Sequence, residues 1–160
     1  MKRTALAAAL VLLPLTAPAE EVGRVGVDWT GNDIILEAVQ DPKVKGVTCH
    51  IAYFDRSLLD RLSQGNWFED PSNASIACRQ TGPIKYLDEL EAGEEVFKER
   101  ISLIWKSIQV VRFYDEKRNT LIYLTYSDKL VDGSPKNAIS AVVVGPWGTE
   151  PAPAAPVYRD

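Results

Sequence analysis

Imidazole, thiol and thioether groups are almost absent from this chain: 160 residues contain one histidine, two cysteines and one methionine. A single imidazole excludes any centre built on paired histidines. A zinc ion would need carboxylates for nearly all its ligands, a donor set zinc does not favour. Phosphate-binding and nucleophile motifs are missing as well. There is no G-x-S-x-G elbow, no phosphate loop and no calcium-loop pattern, and "VGRVGV" (22–27) lacks the third glycine and following helix of a dinucleotide fingerprint. No cofactor or metal is implied. Beyond the first 19 residues no apolar run approaches the ~20 residues of a membrane-spanning helix, so membrane insertion is not expected.

What is present begins with a leader. Lys2 and Arg3 precede an apolar run from Ala5 to Leu15, and Ala17-Pro18-Ala19 is an A-x-A cleavage site. Residues 1–19 are therefore expected to be a signal peptide, leaving a soluble, periplasmic protein that starts at Glu20. Removing Lys2 and Arg3 leaves 16 basic against 22 acidic residues, a net charge of −6. A protein of that charge has little to offer nucleic acid, whose phosphates require cations. Residues 20–147 read as one domain and 148–160, rich in Pro and Ala, as a flexible tail.

The domain reads mainly as strands. "VKGVTCHIAYFD" (44–55) alternates, placing Val47, Cys49, Ile51 and Tyr53 on one face and Thr48, His50, Ala52 and Phe54 on the other. "NASIACRQ" (73–80) is a second cysteine-bearing strand. Short helices are expected at 57–63, with Leu58, Leu59 and Leu62 on one side, and at 84–93 after a Gly82-Pro83 turn. "EEVFKERISLIWKSIQVVRFYD" (94–115) is too long for one strand without a bend or bulge. Segments 107–115 and 120–127 flank a hairpin, and "AISAVVV" (138–144) closes the sheet. The expected fold is mainly β: a single antiparallel domain with two short helices and one disulfide. The pattern does not distinguish a small barrel from a two-layer sandwich.

Cys49 and Cys78 both lie on the more apolar faces of their strands, in a chain sent to an oxidising compartment, and are expected to form a structural disulfide. Closing a loop of 28 intervening residues stabilises a fold by about 3–4 kcal/mol in the chain-entropy account. A catalytic Cys49–His50 pair is disfavoured because adjacent strand residues point to opposite faces. The acids Asp28, Asp33, Asp41, Asp55, Glu69 and Asp70, and the run "DELEAGEE" (88–95), read as turn or surface groups.

Two features rise above that background. Lys98, Arg100 and Lys106 share a face if 98–106 is extended, with Arg112 in phase if no bulge intervenes; such a stripe on an acidic protein suits an anionic ligand or partner. The loop "DGSPKNAIS" (132–140) offers Ser134, Lys136 and Asn137 on a flexible backbone. Four tryptophans stand at 29, 67, 105 and 147. Trp67, between Asn66 and Phe68, is placed as a loop aromatic that could anchor a partner.

The run "SLIWKSIQVVRFYDEKRNTLIYLTYSDKLVDGSPKNAISAVVV" (102–144), with "DPKVKGVTCHIAYF" (41–54) and "ASIACRQTGPI" (74–84), closely resembles the CreA family of exported bacterial proteins. The resemblance covers about Glu21 to Trp147; Ser57 to Pro71 and the tail depart from it. It implies a link to carbon-source physiology and brings no catalytic residue with it. The function expected is a periplasmic binding or accessory protein for a small anionic ligand or an envelope protein, through Lys98, Arg100, Lys106, Arg112, Ser134, Lys136 and Asn137. The alternative is a small hydrolase using carboxylates or Ser134 with Lys136.

Overall fold

A computed structural model describes residues 19–29, 31–55, 57, 62, 74–102, 106–127 and 136–159, and only the backbone for 98–102, 106, 107 and 127. Four strands, β1 (Glu20–Gly26), β2 (Asp33–Gln40), β3 (Val44–Asp55) and β4 (Ala74–Tyr86), form one antiparallel meander. Four more, β6 (Glu94–Ser102), β7 (Lys106–Asp115), β8 (Thr120–Ser127) and β9 (Asn137–Val143), form a second. Between them lies the short β5 (Leu90–Glu91), paired in parallel with β10 (Tyr158–Arg159). Among the described residues no backbone ladder joins the two meanders, so they do not close into a barrel. They share one core instead, with Val39, Val47, Ile51 and Cys78 from the first sheet packed with Ile108, Val110, Leu121 and Val142 from the second. The edge strand β4 lies along β9 and β8.

The alternation in β3 is realised as expected: Val47, Cys49, Ile51 and Tyr53 are buried and the intervening residues are not. Cys49 and Cys78 are directly opposite and bonded, with Cα atoms 3.9 Å apart. So close an approach marks a non-hydrogen-bonded pair, in which the N–H of each residue points away from its partner strand. The Cys78 N–H accordingly reaches across to the second sheet and donates to Ser140 Oγ at 2.8 Å. His50, opposite Ala38 and Ala77, lies on the other face of the sheet.

Among the described residues the two expected short helices are not found. Segment 57–63 lies outside the described residues apart from Ser57 and Leu62. Segment 84–93 is no helix: β4 runs through Gly82-Pro83 to Tyr86, and β5 follows. Proline is tolerated there because β4 is an edge strand and the register is already broken at a bulge between Lys45 and Val47. The bulged residue, Gly46, has φ +81°, and a Cβ on it would stand 2.4 Å from the Pro83 carbonyl oxygen. Only glycine permits that approach. Glu116–Arg118 is a single 3-10 turn, followed by Asn119 at φ 46°.

The long segment 94–115 is divided not by a bend but by a reversal, so that β6 and β7 pair with each other. The segment expected to be a tail has structure of its own. Residues 148–159 run back over the domain, and β10 hydrogen-bonds to β5 through Leu90 N–H to Val157 O and Ala92 N–H to Arg159 O, each 2.9 Å. Tyr158 packs edge-on against Tyr114, with ring centroids 5.7 Å apart, and Arg159 pairs with Glu89. A partly buried aromatic contact and the β5 hydrogen bonds, with an exposed charge pair beside them, seat what composition alone marks as linker.

Candidate functional site

Two rows of residues cross the second sheet, one on each face, and between them they contain most of the sequence-predicted site. On the inner face Glu94, Arg112, Tyr123 and Ser140 follow one another in register across β6, β7, β8 and β9. Arg112 is 1% exposed and the Asp41 side chain is fully buried. A guanidinium at such depth must be paired, since an isolated buried charge costs many kcal/mol. Its Nη1 reaches both carboxylate oxygens of Asp41 at 2.6 Å, and Nη2 pairs with Glu94.

Asp41 comes from the other sheet, in the turn between β2 and β3. Its Oδ1 also accepts the N–H groups of Lys43 and Val44, at 2.9 and 3.1 Å, and its Oδ2 accepts the Tyr123 hydroxyl at 3.0 Å. Lys43 completes the group by pairing with Glu94 and donating to the Glu89 carbonyl at 3.0 Å. The hydrogen bond to Glu94 raises the Lys43 pKa against the opposing effect of burial. Burial, with Asp41 alongside, pushes the Tyr123 hydroxyl well above the ordinary tyrosine range. Tyr86, whose buried hydroxyl has no hydrogen-bond partner among the described residues, is pushed up to about 12 by burial and secondarily by Tyr114. This network, with the Cys78–Ser140 bond at the end of the same row, ties one sheet to the other. Its carboxylates are already engaged by cations and hydroxyls, so it is a fastening and not an acid–base pair.

On the outer face a second row runs Lys98, Gln109, Tyr126, Asn137. Tyr126 donates to Gln109 Oε1 at 2.7 Å, joining the two central strands on this face. Three strand spacings separate Lys98 from Asn137, about 14 Å. Arg100 lies one step along β6, opposite Ser107, and Lys106 opens β7 opposite Ser102. Lys136 and Asn137 are exposed. The adjoining row, Glu95, Val111, Leu124 and Ile139, is mostly apolar, and Ile139 and Val143 are exposed.

The predicted residues are thus divided. Lys98, Arg100 and Lys106 stay at one end of the second sheet, while Lys136 and Asn137 stand at its far edge in the same row as Lys98. Arg112 leaves the stripe: bulges at Glu95/Phe97 and Arg100/Ser102 intervene, and Arg112 is opposite Glu94 in the inner row. Ser134 lies outside the described residues. Asp41 does stand in a turn, but neither it nor Glu94 is a solvated acid, the Asp41 side chain being fully buried and that of Glu94 partly so, and Tyr123 is not singled out by its pattern. One signal does point to them: a lone arginine within "QVVRFY" has to find acids when its strand is buried.

An open groove of about 620 Å³ lies between Ile84–Glu89 and Pro153–Val157. Asp88 and Glu89 on its wall make it a poor seat for an anion. Among the described residues no group of three or more His, Cys, Asp or Glu could hold a metal ion, and no helix is long and apolar enough to cross a membrane.

Comparison with known proteins gives a family match. Residues 22–147 match the family described as CreA protein. "Protein CreA" of Escherichia coli (strain K12) is 49% identical over 155 residues, covering 91% of this chain and 97% of the relative. The protein of the same name from Escherichia coli O157:H7 matches with the same identity and coverage. No solved structure matches the chain.

Proposed function

The chain belongs to the CreA family, and on that premise we propose that it is an exported, periplasmic binding or accessory protein serving envelope physiology, which holds a small anionic ligand or the anionic group of an envelope partner on the outer face of its second sheet. The observation that carries the reading is the register that puts Lys98 and Asn137 at the two ends of one row, bridged by the hydrogen-bonded Gln109–Tyr126 pair. Arg100, two residues along β6, and Lys136, next to Asn137, add cationic character at the ends of that row, on a chain whose net charge is −4; Lys106, three residues from Gln109 along β7, does not join them. A local cationic patch on an acidic protein focuses anions and repels other cations. Export is supported by the leader and by the Cys49–Cys78 bond, which persists outside reducing compartments.

The test is an amide-shift titration of isotope-labelled protein recovered from the envelope fraction, with inorganic phosphate and with dihexanoyl phosphatidylglycerol. Saturable shifts centred on residues 98–100, 109, 126, 136 and 137, lost in Lys98→Glu/Arg100→Glu, are the expected result. Shifts centred on the 84–89 groove, or none that saturate with either anion, would overturn the assignment. Recovery of a chain beginning at Glu20 checks export independently.

A further inference from the structure

Residues 148–159 are held at their two ends and stand off the domain between them. At the near end the Trp147 and Glu150 N–H groups donate to each other's carbonyl at 3.0 Å, and Gly148, at φ 58°, closes the turn. At the far end Leu90 N–H donates to the Val157 carbonyl and Ala92 N–H to the Arg159 carbonyl, each at 2.9 Å. Among the described residues no backbone–backbone hydrogen bond ties 151–156 to the domain. The open groove lies between this span and Ile84–Glu89. The tail is therefore fastened as a bound peptide is, by its last residues, and not packed flush along its length.

The seat has three matched parts. The Leu90 and Ala92 N–H groups are donors for a strand running parallel with β5. Tyr114, 5% exposed, receives the Tyr158 ring edge-on, and Tyr158 packs against the core while staying partly exposed. Glu89 pairs with Arg159 at the rim. Backbone pairing that gives affinity, with side-chain contacts that give selectivity, is how a sheet edge takes up an extended peptide. Glu89, Leu90, Ala92 and Tyr114 lie within the stretch 22–147 that matches the family, whereas the segment filling the seat lies beyond it. The hold is also slight. A two-residue parallel ladder is a weak element, and an exposed ion pair adds little, so the tail can leave while both sheets stay folded.

We propose that the tail is a built-in competitor. The seat on β5 and Tyr114 is a strand-pairing site for an extended segment of a partner protein, with an aromatic residue followed by Lys or Arg, and the chain's own tail occupies it until such a segment displaces it. Being tethered, the tail competes at a high effective concentration, which closes the seat to poorly matched segments. The site is separate from the outer row of the second sheet and does not depend on it.

Hydrogen exchange of the full, unchanged chain tests the opening. The Leu90 and Ala92 amides should exchange at least about tenfold faster than the central amides of β7 and β8, because the tail leaves without global unfolding. Binding is read with fluorescein-labelled PAPAAPVYRD, the sequence of residues 151–160. This peptide should bind Tyr158→Ala, whose own tail is released, at least about tenfold more tightly than the unchanged chain, with amide shifts at 89–92 and 114. Replacing the peptide's tyrosine by alanine should abolish binding. Arg159→Glu loses only an exposed charge pair, so it releases the tail with less risk to the fold and should move affinity in the same direction. Exchange at Leu90 and Ala92 as slow as in β7 and β8 would overturn the proposal. So would absent or tyrosine-independent peptide binding to both variants, or shifts confined to other residues. A Tyr158-dependent dimer in sedimentation equilibrium would overturn it too, since the seat would then serve a second copy of this chain.

Discussion

The two rows that cross the second sheet use similar residue types to different ends. Glu94, Arg112, Tyr123 and Ser140 face the first sheet, and all four donate to or accept from groups on it or beside it. Lys98, Gln109, Tyr126 and Asn137 cross the same four strands three residues earlier along β7. Moving an odd number of residues along a strand changes the face, and the face decides whether a polar side chain holds the fold or is offered to a ligand. Charge alone does not say which, since Arg112 and Lys98 are equally cationic in the sequence.

The most damaging way to break the inner row is to remove its central cation. Arg112→Ala strands Asp41 and Glu94 without their guanidinium and should cost about 3–5 kcal/mol in denaturant unfolding. Arg112→Met combined with Asp41→Asn should recover part of that, because it removes both charges. A double substitution no more stable than Arg112→Ala would show that the pairing is not what matters. Next comes the covalent tie: Cys49→Ala/Cys78→Ala should lower stability by about 3–4 kcal/mol. An intact-mass shift only after reduction and alkylation checks that the bond is present in the isolated protein.

Smaller effects separate the tyrosines. Tyr123→Phe removes one hydrogen bond to a charged acceptor, for roughly 1.5–3 kcal/mol. It also changes the alkaline limb. Tyr123 and Tyr86 both have pKa values raised in the folded protein, Tyr86 to about 12. Above pH 10 the unfolded chain loses phenolic protons that the folded chain retains, so stability present below that pH declines as pH rises through the folded values. Absorbance of tyrosinate should lag in the native protein, and unfolding curves from pH 9 to 12 should be flatter in Tyr123→Phe. At the other extreme, Lys98→Glu/Arg100→Glu on the outer row should leave stability within about 0.5 kcal/mol while abolishing anion-induced shifts. A large loss of stability there would mean that the outer row, too, belongs to the framework.

Much of this was legible in the chain. The period-2 pattern of 44–55 marked the buried face of β3 and sent Cys49 inward and His50 outward. The Asn119 turn was readable from "DEKRN" between two β-branched, aromatic runs. Other elements were not. Helical spacing of Ile84, Leu87 and Leu90 was overridden by the ladder β4 makes with β3 around the Gly46 bulge. The tail looked like linker because prolines and alanines carry no pattern, and its seat depends on Tyr114 and β5, which are distant in sequence. Trp67, the expected anchor, lies outside the described residues.

Composition and local period, then, determined by themselves the β class, the scarcity of catalytic groups and the inward direction of both cysteines. All of these follow from interactions among residues near one another along the chain. The fate of Arg112, Asp41 and Glu94, the alignment of Lys98 with Asn137 and the seating of the tail were decided only in three dimensions. Cross-strand register and sheet packing bring together residues whose separation along the chain carries no signal of their contact.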